Sequence, residues 1–212
     1  MNRSEIINKL IKKNNYKTYL EIGLDNPDWN FNKIQCENKE SVDPYIVKEH
    51  DKNDHKLTPS MWAKIEPVLT YRMTSDEFFA QNTKKYDIIF IDGLHTKEQV
   101  SRDIINSLKI LNPGGKIVVH DCLPANKKAQ QVPRIVGAWN GDVWRAIPEL
   151  KKQGIKVNVV NCDEGCAIID YIRVKKNLFY PTDFEYEYEY YENHKNELMN
   201  VISVEEFIKL YC

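Results

Sequence analysis

The feature that most constrains this chain is an alternation. Short, nearly continuous apolar runs at 18–22, 68–72, 86–91, 116–120 and 156–160 are separated by segments whose apolar residues recur at helical spacing. Runs this continuous are buried on both faces, as strands of a parallel sheet are. Between them, 4–13 sets Ile6, Ile7, Leu10 and Ile11 on one helical face, 98–111 sets Val100, Ile104, Leu108 and Leu111, and 143–153 sets Val143, Ile147 and Leu150. Asp142 stands where an N-cap belongs and Gly154 where a helix ends. In 212 residues this pattern predicts an α/β, Rossmann-like doubly wound sheet with right-handed crossovers and helices on both faces. Its far edge differs, because after Val160 the turn 161–165 leads directly into another apolar run, with no room for a crossover helix. That segment is expected to close a mostly parallel sheet as an antiparallel C-terminal hairpin strand.

The expected organisation is one domain over 1–180, with a charged insertion at about 47–60 carrying His50 and His55, and a C-terminal helical appendage over 181–212 packed on it. In that appendage Glu185-Tyr186-Glu187-Tyr188-Glu189-Tyr190 alternates like a strand, but Ser203-Val204-Glu205-Glu206 is a capping-box pattern and favours helix. Lys plus Arg number 30 against 31 Asp plus Glu, so no basic surplus advertises a nucleic-acid partner. No stretch reaches the roughly 20 apolar residues of a membrane span, and the first residues are polar, so a soluble, cytoplasmic chain is expected. The five cysteines, at 36, 122, 162, 166 and 212, form no CxxC pair and read as reduced thiols. Oligomeric state leaves no local signature, and a homo-oligomer stays open.

In an open α/β sheet, ligands bind beyond the carboxyl ends of the strands, so the residues just after each strand carry the chemistry. These are Glu21-Ile22-Gly23, Val42-Asp43-Pro44, Thr74-Ser75-Asp76, Asp92-Gly93-Leu94-His95 and His120-Asp121-Cys122. Asp43 follows Gly23 by 20 positions, the spacing at which an acid grips a nucleoside ribose; an Asx-turn before Pro44 is the competing reading.

Taken in order, Tyr19-Leu20-Glu21-Ile22-Gly23, Val42-Asp43-Pro44, Thr74-Ser75-Asp76-Glu77-Phe78-Phe79, Ile91-Asp92-Gly93-Leu94-His95 and Leu111-Asn112-Pro113-Gly114-Gly115 with Val119-His120-Asp121 resemble class I S-adenosylmethionine (SAM)-dependent methyltransferases. The likeness runs from about residue 18 to about residue 173 and is nearest to the branch acting on small molecules and sugars. It implies SAM as cofactor, with Glu21 and Gly23 in the first cofactor turn, Asp43 on the ribose, Ser75 and Asp76 beside the adenine, and Asp92 near the methyl donor. One departure stands out: where the family continues with further glycines, Gly23 is followed by Leu24-Asp25-Asn26-Pro27-Asp28-Trp29-Asn30.

The implied reaction is methyl transfer to a hydroxyl of a small-molecule or saccharide acceptor, such as a sugar or glycan precursor. An alcohol is too weak an acid to ionise unaided near neutral pH, so it needs a base, a metal or both. His95, with Asp92 three residues before it, is the expected base. Asp92, His120 and Asp121 are the expected ligands if a divalent ion takes part, and hard oxygen donors select Mg²⁺ or Mn²⁺. Structural capping of adjacent loops is the alternative for the acids, and a core position for His120. Trp139 and, at the start of the next helix, Trp144 and Arg145 suit either a sugar contact or the core. Two rival functions share the scaffold: a catalytically inactive module in glycan biosynthesis, and an iron-dependent hydroxylase.

Overall fold

The computed structural model describes residues 1–44, 63–171 and 186–212. The charged insertion, with His50 and His55, and residues 172–185 of the Tyr-rich stretch lie outside the described residues.

Helices and strands follow in the order α1 (Arg3–Asn14), β1 (Thr18–Ile22), β2 (Asn38–Val42), α2 (Ser75–Gln81), β3 (Tyr86–Ile91), α3 (Lys97–Ile110), β4 (Leu111–Val119), α4 (Ala146–Lys152), β5 (Val157–Val160), β6 (Cys166–Asp170), α5 (Tyr188–Met199), β7 (Val201–Ile202) and α6 (Val204–Tyr211). They build a seven-stranded sheet in the order β2-β1-β3-β4-β6-β5-β7. Pairing is parallel from β2 through β4, and β6 is antiparallel to both β4 and β5, so the expected closing hairpin is present. One strand lies beyond the expectation, since Val201 and Ile202 pair in parallel with β5 and widen the sheet past the hairpin.

Both faces are covered because the strands are apolar on both sides. Leu20, Ile22, Ile89 and Ile91 point to the face packed by α2 to α5, through Phe78, Ile104, Ile147 and Tyr191. Tyr19, Ile88 and Phe90 point to the other, covered by Ile6, Ile7 and Leu10 of α1 and Phe207 of α6. A side chain such as Phe90, with no exposure, costs about 3–5 kcal/mol when truncated to Ala. Capping boxes start α1 at Asn2, α2 at Thr74 and α6 at Ser203, each closed by a Glu three residues on.

Three local expectations need correction. The apolar run 68–72 forms only a single bridge, Tyr71 to Val42, because Ser41 Oγ and Thr70 Oγ1 take up bonds a ladder would use. The stretch after Asp142 begins as a 3₁₀ turn, Val143–Arg145, and Asp142 makes no side-chain cap; its Oδ1 accepts instead from the Lys97 amide at 2.7 Å. Gly154 does end α4, at φ +82°. All five cysteines are free thiols. Among the described residues no helix is long and apolar enough to cross a membrane.

Candidate active site

The order of strands reverses beside β1: β2 lies on one side of it and β3 on the other, so the tips of these strands border a switch point. On the β1 side the polar groups are close-knit. Glu21 is buried and accepts from the Tyr19 hydroxyl and from Asn30 Nδ2 at 2.9 Å. Burial outweighs those bonds and pushes its carboxyl up to about 8. Asn30 is buried as well, and its Oδ1 has no hydrogen-bond partner among the described residues. Gly23 has φ +88°, and a Cβ there would sit 2.2 Å from the Asp92 carbonyl oxygen, so only glycine lets the β1 tip touch the β3 tip.

Asp43 reaches back over this turn. Its Oδ2 accepts from the Leu24 amide at 2.9 Å, while Leu24 itself is buried in the core. The loop without further glycines is thus anchored by two buried apolar side chains, Leu24 and Pro27, and two polar clasps, Asp43 and Asn30. Ser75 and Asp76 lie farther along. Both accept from Gln99 Nε2, at 3.0 and 3.3 Å, and Asp76 pairs with Arg102 at 3.4 Å, which ties the start of α2 to α3.

At the tips of β3 and β4 the arrangement changes. Asp92, His95 and Asp121 each offer a ligand atom, and the three atoms lie within 4.8 Å of one another. His95 Nε2 is 3.4 Å from Asp92 Oδ1 and 3.3 Å from Asp121 Oδ2. Its Nδ1 is 3.2 Å from the Trp139 carbonyl, and the Trp139 ring stacks on it at 5.0 Å, so the proton belongs on Nδ1 in the neutral ring and Nε2 faces the acids. Gly141, at φ +61°, permits that approach, because a Cβ there would fall 1.8 Å from the His95 carbonyl oxygen. Asp121 sits in the left-handed region at φ 61°, a conformation Asp tolerates better than most residues. It is buried and accepts from Asn140 Nδ2 at 2.7 Å, which also donates to Glu164.

His120 stands behind this trio, buried, with Nδ1 3.4 Å from Asp92 and 3.3 Å from Asp121 and Nε2 3.7 Å from Asp163. Burial disfavours its charge, but these carboxylates outweigh burial and hold its pKa well above the ordinary value. The same balance raises His95, with burial opposed by Asp92 and Asp121. Asp92 responds in the opposite sense: burial would raise it, and His120 and His95 instead hold it well below the carboxylate range. Asp163, bonded to His120 and to the Arg3 amide, is held at about 2.

Sequence reasoning named Asp92, His95, His120 and Asp121, and the fold brings them together. The three groups with metal-holding geometry differ from the expected set, for they include His95 in place of His120. Arg3, Asn140 and Asp163 were not singled out. Arg3 is the notable one, with Nη1 2.8 Å from His120 Nε2, 3.2 Å from His120 Nδ1 and 4.0 Å from Asp92 Oδ2. No motif marks it, because it reaches the site from α1 through the tertiary fold alone.

In open α/β sheets of this topology, ligands bind at the carboxyl-end edge beside the switch point, and the acid-rich strand tips stand at that edge. Residues 29–122 match the family model for a methyltransferase domain. Two solved structures share the fold over most of both chains. One is the O-methyltransferase TomG from Streptomyces achromogenes, involved in tomaymycin synthesis and bound to SAM, at 14% identity over 80% of this chain and 79% of that one with a TM-score of 0.52. The other is an O-methyltransferase from Bacillus cereus in complex with SAH, at 11% identity over 80% of each chain and a TM-score of 0.53. No curated protein matches the sequence. The chain shares the α/β fold of these O-methyltransferases, the fold that the sequence motifs imply.

Proposed function

We propose that the protein transfers a methyl group from SAM to a hydroxyl of a small molecule, with a sugar or glycan precursor as the acceptor class. The observation that carries this reading is the convergence of Asp92, His95 and Asp121 at the tips of β3 and β4, beside the switch point. SAM supplies an activated methyl on a sulfonium. On the chain's side, Glu21, Asn30, Gly23 and Asp43 hold the cofactor, with Ser75 and Asp76 at its adenine end. The fit of this edge rests on the buried, unpartnered Asn30 Oδ1, an acceptor of the right chemistry for an ammonium group.

His95 accepts the acceptor's hydroxyl proton at Nε2. The Trp139 carbonyl fixes the competent tautomer, and Asp92 and Asp121 stabilise the imidazolium that results, a role worth about 10²–10⁴ in rate for a positioned base. By donor type alone Asp92, His95 and Asp121 match Mg²⁺ or Mn²⁺, a second reading in which His95 would be a ligand and the ion would lower the pKa of a bound hydroxyl. The iron reading needs both histidines on one ion, and His120 is instead engaged by Arg3. Titration calorimetry with SAH tests the core of the proposal. Saturable 1:1 binding is expected, and absence of binding at millimolar SAH overturns it. A panel of hydroxylated acceptors, sugars included, then reads the acceptor class.

A further inference from the structure

Three carboxylates, Asp92, Asp121 and Asp163, meet around His120, and among the described residues Arg3 reaches them from outside the strand tips as a cation. It is held rather than loosely placed. Its amide donates to Asp163 Oδ2 at 2.7 Å, α1 starts on a capping box at Asn2, and Ile6, Ile7 and Leu10 of that helix are fully buried against the sheet. Nη1 lies 2.8 and 3.2 Å from the two nitrogens of His120, and because their in-plane directions diverge it cannot point along both. The same Nη1 stands 4.0 Å from Asp92 Oδ2. Its charge is permanent, since arginine does not deprotonate in proteins.

We propose that Arg3 is the resident counter-cation of this site: it balances Asp92 and Asp163, disfavours a divalent ion on Asp92, and leaves activation of the acceptor to His95. The inference rests on reading the Asp92, His95 and Asp121 cluster as the reacting site. A Mg²⁺ or Mn²⁺ ion about 2.1 Å from Asp92 Oδ2 would stand no more than about 6 Å from Nη1, inside the Debye length of physiological salt and in a partly buried setting. Two like charges at that range oppose each other, so the same acids that attract a metal already have a partner.

The test is calorimetric titration of the full chain with Mn²⁺, without cofactor or acceptor. Arg3→Ala and Arg3→Gln should each bind Mn²⁺ at least about tenfold more tightly than the parent, whereas Arg3→Lys, which keeps the charge, should stay within about threefold of it. Adding Asp92→Asn to Arg3→Ala should erase the gain. The proposal is overturned if neither neutral variant binds more tightly, or if the gain survives Asp92→Asn. Should circular dichroism show both neutral variants unfolded, the parent decides: weak binding, in the millimolar range or worse, supports the proposal and submillimolar binding overturns it. SAH titration of the same samples reads the methyltransferase assignment separately, so a failure of either leaves the other legible.

Discussion

The two halves of the strand-tip edge are built from similar residues and behave differently. At β1 and β2 the polar groups have short, specific structural partners: Glu21 with Tyr19 and Asn30, and Asp43 with the Leu24 amide. At β3 and β4, Asp92, His95, Asp121 and His120 crowd one another, and the protonation of Asp92, His95 and His120 is shifted by these neighbours more than by any backbone bond. A carboxylate bonded to a nearby amide shapes a loop. Carboxylates gathered around two imidazoles store a strong preference about where a proton resides, which is the property a base-assisted transfer uses.

The sharpest way to break this contrast is His95→Ala. Under base catalysis kcat should fall about 10²–10⁴-fold while SAH affinity is unchanged, which calorimetry and single-turnover kinetics separate. In the parent, kcat/KM should rise with pH as His95 loses its proton, with a midpoint above the ordinary histidine value near 6.5, because Asp92 and Asp121 stabilise the protonated ring. A pH profile without that limb, or a variant as fast as the parent, would remove the β3 and β4 tips from the chemistry.

Next in size is Gly23→Ala, which acts where the two halves touch. The new Cβ would lie 2.2 Å from the Asp92 carbonyl oxygen on a backbone at φ +88°, so either β1 or β3 must shift. A stability loss of about 2–4 kcal/mol by urea denaturation is expected, together with loss of activity beyond what stability explains. If activity per folded molecule is untouched, the halves are mechanically independent.

How much of this was legible in the sequence depends on the length scale of the interaction. The strands with continuous apolar runs, the helices α1 and α3, and the capping box of α6 all rest on neighbours in sequence, and periodicity finds them. The run at 68–72 has the same apolar look as a strand but lies beside Ser41, which bonds Thr70 Oγ1 and the Val68 carbonyl in place of ladder bonds, a long-range effect no local pattern carries. The strand Val201–Ile202 is two residues long and exists only because β5 offers an open edge. Within the site, Asp92 with His95 and His120 with Asp121 sit in recognisable strand-end motifs. Arg3 comes from a helix some ninety residues earlier, and Asn140 and Asp163 from two different loops, so their convergence follows from tertiary packing.

A smaller effect separates burial from function at the β1 tip. Glu21 has its pKa raised from 4.5 to about 8, chiefly by burial, so the folded state keeps a proton between those values that the unfolded chain releases. Stability therefore falls as pH rises through that window, and below pH 4.5 the term vanishes. Glu21→Gln, which mimics the protonated side chain, should match the parent near pH 4.5 and grow more stable than it as pH rises toward 8, as read from urea midpoints. A constant gap across pH would mean that Glu21 is ionised in the fold after all.

Asp43→Ala is the smallest perturbation and decides what the β1 and β2 half is for. Two roles compete for one carboxylate: clasping the Leu24 amide, and binding ribose hydroxyls. If the clasp is its whole function, the variant loses about 1 kcal/mol of stability and keeps its SAH affinity once saturating ligand has refolded the loop. If the ribose is bound there, SAH affinity falls about tenfold while adenine-free competitors such as methionine lose nothing, because only the nucleoside reaches Asp43. The second outcome would make the β1 and β2 tips a binding surface that happens to be stitched by structural bonds. It would also explain how a loop with Leu24 and Pro27 in place of further glycines still serves a nucleoside cofactor, with the carboxylate that clasps the Leu24 amide also reading the ligand.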